Sequence, residues 1–168
     1  MKILIVDDDQ SLRETLAHLL RNEGDIETLE AGSLDEAREL LPEADAVLSD
    51  GSFPTHPGRF DVLTVHDSNW APLRMDCEKA RIPFVLLSGN EVLVERLREA
   101  GGEAFAKPQG AVAAVRRVCV LARIHADEAV RPEDPRVQLA DIRNSQGDVL
   151  DAEERDTVAR SWWKTFRR

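Results

Sequence analysis

Short, uninterrupted apolar runs alternate along this chain with stretches of helical periodicity, and that alternation restricts it to one class of fold. KILIV at the start has no polar residue after its lysine, the pattern of a parallel strand covered on both faces. A helix is expected over 11–21, with Leu12, Leu16, Leu19 and Leu20 on one stripe and Gly24 just beyond its end. Further strands are expected at 26–30, 45–49, 84–87 and 104–106. The helices between them carry their own signals. Ser33 with Glu36 opens one that Pro42 ends, 71–80 has Pro72 in its first turn, Asn90 caps one closed by Gly101 and Gly102, and 111–122 is the last. Five βα units predict an α/β domain with a doubly wound, five-stranded parallel sheet and helices on both faces.

Two stretches break the rhythm. Residues 51–70 are long for a connection and contain Pro54, Pro57 and Gly58 before an apolar run over 60–65. They read equally as a lid or edge element and as an insertion without a chemical role. From Arg131 the acidic, proline-rich RPEDP reads as a linker. It is followed by VQLADI, a turn at NSQGD, and a helix opened by Asp151 with Glu154 that places Val158, Trp162 and Phe166 on one face. The expected organisation is an α/β domain over 1–126, a linker over 127–136, and a C-terminal extension over 137–168 with a hairpin-like segment and an amphipathic helix.

Charge narrows the partners. A net charge of −10 excludes nucleic acid for the chain as a whole, because phosphate neutralisation needs a basic footprint. No charged-then-apolar leader opens the sequence, and no apolar run approaches the roughly 18 residues of a spanning helix, so the expectation is a cytoplasmic protein without membrane contact. Cys77 and Cys119 lack metal-ligand or disulfide spacing and read as reduced thiols. His18, His56, His66 and His125 are scattered, with nothing to fix them as ligands.

In an open parallel sheet, functional groups gather at the carboxyl ends of the strands. Here the first strand runs into Asp7 and Asp8, the third into Asp50, the fourth into Ser88 and the fifth into Lys107. Converging carboxylates repel one another unless a cation joins them. Mg²⁺ (or Mn²⁺) suits such a site, since it takes one or two carboxylates, keeps waters and bridges to phosphate oxygens. Lys107 adds a compact positive charge for phosphate oxygens or for Asp50, and Ser88 adds a donor. The set describes phosphoryl transfer to a carboxylate.

The segments that carry these residues, KILIVDDDQSLRETLAHLL, DAVLSDGSFP, FVLLSGN and FAKP, resemble the response-regulator receiver domain of two-component signalling, the chemotaxis-regulator type included, over roughly residues 1–125. The resemblance implies a flavodoxin-like receiver fold. It implies Asp50 as phosphoacceptor, Asp7, Asp8, Asp50 and the backbone carbonyl of Ser52 as Mg²⁺ ligands, Ser88 as the switch hydroxyl and Lys107 as the charge partner. A sensor histidine kinase or a phosphotransfer protein would supply the phosphoryl group. The domain would not be an enzyme beyond self-catalysed phosphotransfer and autodephosphorylation. The tail is too short for a winged-helix reader and has no basic recognition helix, so output is expected through protein–protein contact, with a downstream protein or a second copy in a homodimer. The family's aromatic residue three before the lysine is Ala104 here, and period-2 alternation puts Phe105 on the opposite face. Output is therefore expected through a surface other than the serine–aromatic relay.

Two other readings fit parts of the pattern. In a haloacid-dehalogenase-like phosphatase, Asp7 and Asp9 would be the paired acids, with Ser11, Ser88, Lys107–Pro108, Asp148 and Asp151 completing the set. Against this, a helix begins at Ser11 with no room for a flap, no clear strand precedes Asp148, and Asp50 would be idle. A pseudo-receiver would keep the fold as a binding module without phosphorylation.

Overall fold

A computed structural model describes residues 1–58 and 69–130, with side chains through Asp127. The first strand, β1 (Lys2–Val6), is followed by α1 (Gln10–Asn22), β2 (Glu27–Ala31), α2 (Leu34–Leu40) with a 3-10 turn over Leu41–Glu43, and β3 (Ala46–Ser49). Then come α3 (Trp70–Ala80), β4 (Phe84–Ser88), α4 (Glu91–Glu99), β5 (Glu103–Ala106) and α5 (Ala111–Val130). All five strands are parallel, in the order β2-β1-β3-β4-β5. This is the expected doubly wound, flavodoxin-like sheet.

The unbroken apolar strands explain the two-sided burial. Ile3 and Ile5 point to one face, where they join Leu48, Val85 and Leu87 under Leu16, Ala17 and Leu20 of α1 and Ala114, Val115 and Val118 of α5. Leu4, Val6 and Val47 point to the other face, under Leu34 and Ala37 of α2 and Leu73 and Cys77 of α3. On that same side Leu86 and Ala104 pack with Val94 and Leu97 of α4. Ile3, Leu4, Ile5 and Val6 are all 0% exposed, and fully burying each such side chain is worth about 1.5–3 kcal/mol. Consecutive residues of one strand thus stabilise both layers.

Local chemistry sets the helix starts. Asp9 accepts the Ser11 and Leu12 N–H groups as the N-cap of α1, Ser33 accepts Glu36 N–H for α2, and Asn90 accepts Leu93 N–H for α4. A cap of this kind is worth about 1 kcal/mol. Glu36, read as the return half of a capping box, takes the Gly32 N–H at 2.8 Å instead. The 3-10 turn follows α2 at Pro42, where a proline cannot extend the helix ladder. Arg81 closes α3 in the left-handed region at φ 59°.

One boundary differs from expectation by more than a residue. Helix α5 runs on to Val130 past the expected end at Ala122, so residues 127–130 of the expected linker are helical. IHADEAV contains no helix breaker, and the first one is Pro132, whose predecessor is itself biased away from the helix. The rest of the linker and the 137–168 extension, with Asp148, Asp151, Val158, Trp162, Trp163 and Phe166, lie outside the described residues. So do His66 and the 60–65 run. Among the described residues, no helix is long and apolar enough to cross a membrane.

Candidate functional site

Sheet register brings the acids together. Val6 pairs with Ser49 across β1 and β3, so Asp7 and Asp50 are the next step along two neighbouring strands. Both backbones stay in the ladder: Asp50 N–H donates to the Val6 carbonyl at 2.7 Å and Asp7 N–H to the Ala31 carbonyl at 3.1 Å. Ser88 ends β4 opposite Ala106, and Lys107 follows with its N–H on the Ser88 carbonyl at 2.9 Å. Four strands therefore deliver their terminal polar residues to one rim.

The side chains meet there. Lys107 Nζ lies 2.7 Å from Asp7 Oδ2 and 2.7 Å from Asp50 Oδ1. The remaining oxygens accept backbone donors, Asp9 N–H on Asp7 Oδ1 and Ser52 N–H on Asp50 Oδ2, each at 3.0 Å. Asp8 is exposed beside them, and carboxylate oxygens of Asp7, Asp8 and Asp50 lie within 4.8 Å of one another. Such a set of hard oxygen donors fits a divalent cation. Burial pushes the Asp7 carboxyl above its ordinary pKa, with the Lys107 ammonium pulling the other way. For Lys107, burial lowers the pKa, but the contacts to Asp50 and Asp7 outweigh it and the net shift is upward.

Ser88 is buried at the same rim. Its Oγ accepts the Asn90 N–H at 3.2 Å and sits so close to Gly51 that a β-carbon there would come within 2.5 Å of it. Three further residues frame the acids without having stood out in the sequence. Arg13 Nη1 donates to the Asp7 carbonyl at 2.7 Å, bracing the strand end from α1. Gly51 leaves room for the hydroxyl. Asn69 donates to the Phe53 carbonyl at 2.7 Å. Arg13 reads in sequence as one more charge on a solvated helix face, and nothing short of the fold marks it. Asp9 stays out of the acid cluster as the cap of α1, and α1 starts at once behind it. His56 contacts Asp35 at 2.5 Å instead of the acids.

Neither a family model nor a curated protein matches the chain. Solved structures do. The signal receiver domain of a LuxO repressor protein from Vibrio parahaemolyticus aligns with a TM-score of 0.57 at 14% identity, covering 77% of this chain and 95% of that one. The receiver domain of a Francisella response regulator aligns with a TM-score of 0.54 at 22% identity, covering 73% and 97%. A protein from Chloroflexus aurantiacus described as a response regulator aligns with a TM-score of 0.52 at 28% identity, covering 73% and 97%. The fold is that of a response-regulator receiver domain.

Within this fold the position three before Lys107 is a small one. Ala104 is 3% exposed and packs under α4 with Leu86, Val94 and Leu97. Phe105 packs on the opposite layer, as the alternation predicts, with the Arg98 guanidinium 5.8 Å from its ring centre.

Proposed function

We propose that this receiver domain accepts a phosphoryl group on Asp50 in a Mg²⁺-dependent reaction, taken from a phosphohistidine of a sensor kinase or phosphotransfer protein. The observation that carries the reading is the two-way contact of Lys107 with Asp7 and Asp50, with the Asp8 carboxylate close by. Asp7, Asp8, Asp50 and the Ser52 carbonyl would hold Mg²⁺ (Mn²⁺ would serve), which when bound neutralises charge on the transferring group. An Asp50 oxygen bonds to phosphorus as the donor's P–N bond breaks. The electron pair leaves with the imidazole nitrogen, which takes up a proton, and an acyl phosphate results. Lys107 then faces phosphoryl oxygens, and the Ser88 hydroxyl rotates off Gly51 to donate to one of them. Lys107 supplies a compact positive charge to the site, its contacts to Asp50 and Asp7 raising its pKa.

The domain's role ends with acquiring and losing the group, so it is not an enzyme acting on a separate substrate. Output goes to a downstream protein or a second copy of the chain, by protein contact and without nucleic acid or membrane, in the cytoplasm. The organisation into residues 1–126, a linker and a 137–168 extension belongs to the same proposal. The phosphatase reading is weakened by Asp9, whose carboxylate is engaged in capping α1.

Incubating the full chain with acetyl phosphate and MgCl₂ tests the proposal. Stoichiometric labelling that Asp50→Asn and EDTA both abolish is expected. Multiple turnover that depends on Asp7 and Asp9 would support the phosphatase, and no labelling at all the pseudo-receiver; either overturns the proposal.

A further inference from the structure

Among the described residues, four polar residues stand at the starts of helices, and three of them cap their own helix. Asn69, at the N-cap of α3, does not: its side chain makes no capping bond to that helix. Its carboxamide nitrogen reaches back along the sequence, donating to the Phe53 carbonyl at 2.7 Å and to Thr55 Oγ1 at 3.2 Å. The residue is 9% exposed, among the few buried polar residues of the domain. A buried amide that forgoes a cap worth about 1 kcal/mol is committed to something else.

What it holds is the loop that leaves Asp50. The loop is pinned at its start by Ser52 N–H on Asp50 Oδ2. Phe53 is buried between β1, α2 and α3. On one side, Pro54 and Thr55 carbonyls accept the Leu34 and Asp35 N–H groups of α2. On the other side Asn69 supplies the hydrogen bonds. The carbonyl it takes belongs to the residue directly after Ser52, so the Ser52 peptide is fixed between Asp50 and Asn69.

The geometry points to Asn69 as a positioning residue of the acid site, holding the Ser52 backbone where it can serve a divalent cation beside Asp7, Asp8 and Asp50. This rests on the Mg²⁺-site reading above and adds to it a residue that touches neither the cation nor the phosphoryl group. Partners of metal ligands act this way elsewhere, and removing one costs about 10–100-fold in affinity. The clamp also joins the two ends of the long connection.

Isothermal titration of the full chain with MgCl₂ tests it, each protein checked for its fold by circular dichroism. Asn69→Ala is expected to weaken Mg²⁺ binding about tenfold. Asn69→Asp keeps the shape but cannot donate to the Phe53 carbonyl, and is expected to do the same; it also covers the case in which the alanine variant does not fold. Leu97→Ala, which opens a cavity under α4 away from the loop, is expected to lower the melting temperature and leave Mg²⁺ affinity unchanged. Folded Asn69 variants with wild-type affinity overturn the assignment and leave the Mg²⁺ site standing. A wild-type chain that takes up no Mg²⁺ overturns both.

Discussion

Ser88 packs its hydroxyl directly against Gly51: a β-carbon at residue 51 would lie 2.5 Å from Ser88 Oγ and 2.9 Å from Leu93 Cδ2. The residue after Asp50 is therefore small because α4 and the end of β4 occupy the space a side chain would need. Gly51→Ala should lower the unfolding free energy by about 1–3 kcal/mol, the usual cost of overpacking, read as a lower urea midpoint. If the Ser88 hydroxyl is needed at the phosphoryl group, the same variant should also be labelled more slowly by acetyl phosphate.

Asp7 gives the metal-free protein a pH dependence of definite sign. Burial raises its folded pKa above the ordinary value of 3.8, so between those two values the folded state binds more protons than the unfolded one. Stability is then highest below the ordinary value and is lost as pH rises through the raised one. In EDTA the urea midpoint should show this fall, and Asp7→Asn should flatten it. Saturating MgCl₂ should offset it by favouring the ionised carboxylate.

Lys107 balances the acids, and its removal should show in both stability and chemistry. Lys107→Ala leaves Asp7 and Asp50 side by side without their shared cation, and breaking a partly buried ion pair on one side costs about 3–5 kcal/mol at most. The melting temperature should drop and recover in part when Asp7→Asn is added, because the second change removes the repulsion exposed by the first.

Cys77 should be inert to thiol reagents. It is 0% exposed, and burial, with Asp76 adding to it, pushes its thiol up to about 12. Cys119 is buried as well, and burial raises its thiol too. At pH 8 neither should react with Ellman's reagent except at the rate of unfolding, and both should react in urea.

Arg81 sits at φ 59° with its side chain exposed, in a conformation that costs a residue with a β-carbon about 1 kcal/mol. Arg81→Gly should stabilise the domain by up to that amount, seen as a higher melting temperature. Glycine is the usual residue where a helix ends left-handed.

Much of this architecture could be read in advance because the chain states it locally. Two-sided apolar strands such as KILIV allow little besides a covered parallel sheet, and each is followed at once by the residue that reaches the rim. Asp7, Asp50, Ser88 and Lys107 were legible for that reason. What escaped depends on contacts far apart in sequence. Nothing in the sequence marks Asn69, and only the fold brings Phe53 and Thr55 to its amide. Arg13 looks like surface charge until the Asp7 carbonyl arrives beneath it. The length of α5 was underestimated because its apolar stripe thins after Ala122, although no residue before Pro132 interrupts the helix.

The step from Val6–Ser49 to Asp7–Asp50 also sets a dimension. Neighbouring strands lie about 4.8 Å apart whatever their sequences, so the two carboxylates inherit their separation from a repeating lattice of peptide bonds. Changes in the surrounding loops can alter what reaches those oxygens, how wet they are and what they signal to. They cannot alter the pitch at which the acids stand, and the site keeps its gauge as long as the sheet survives.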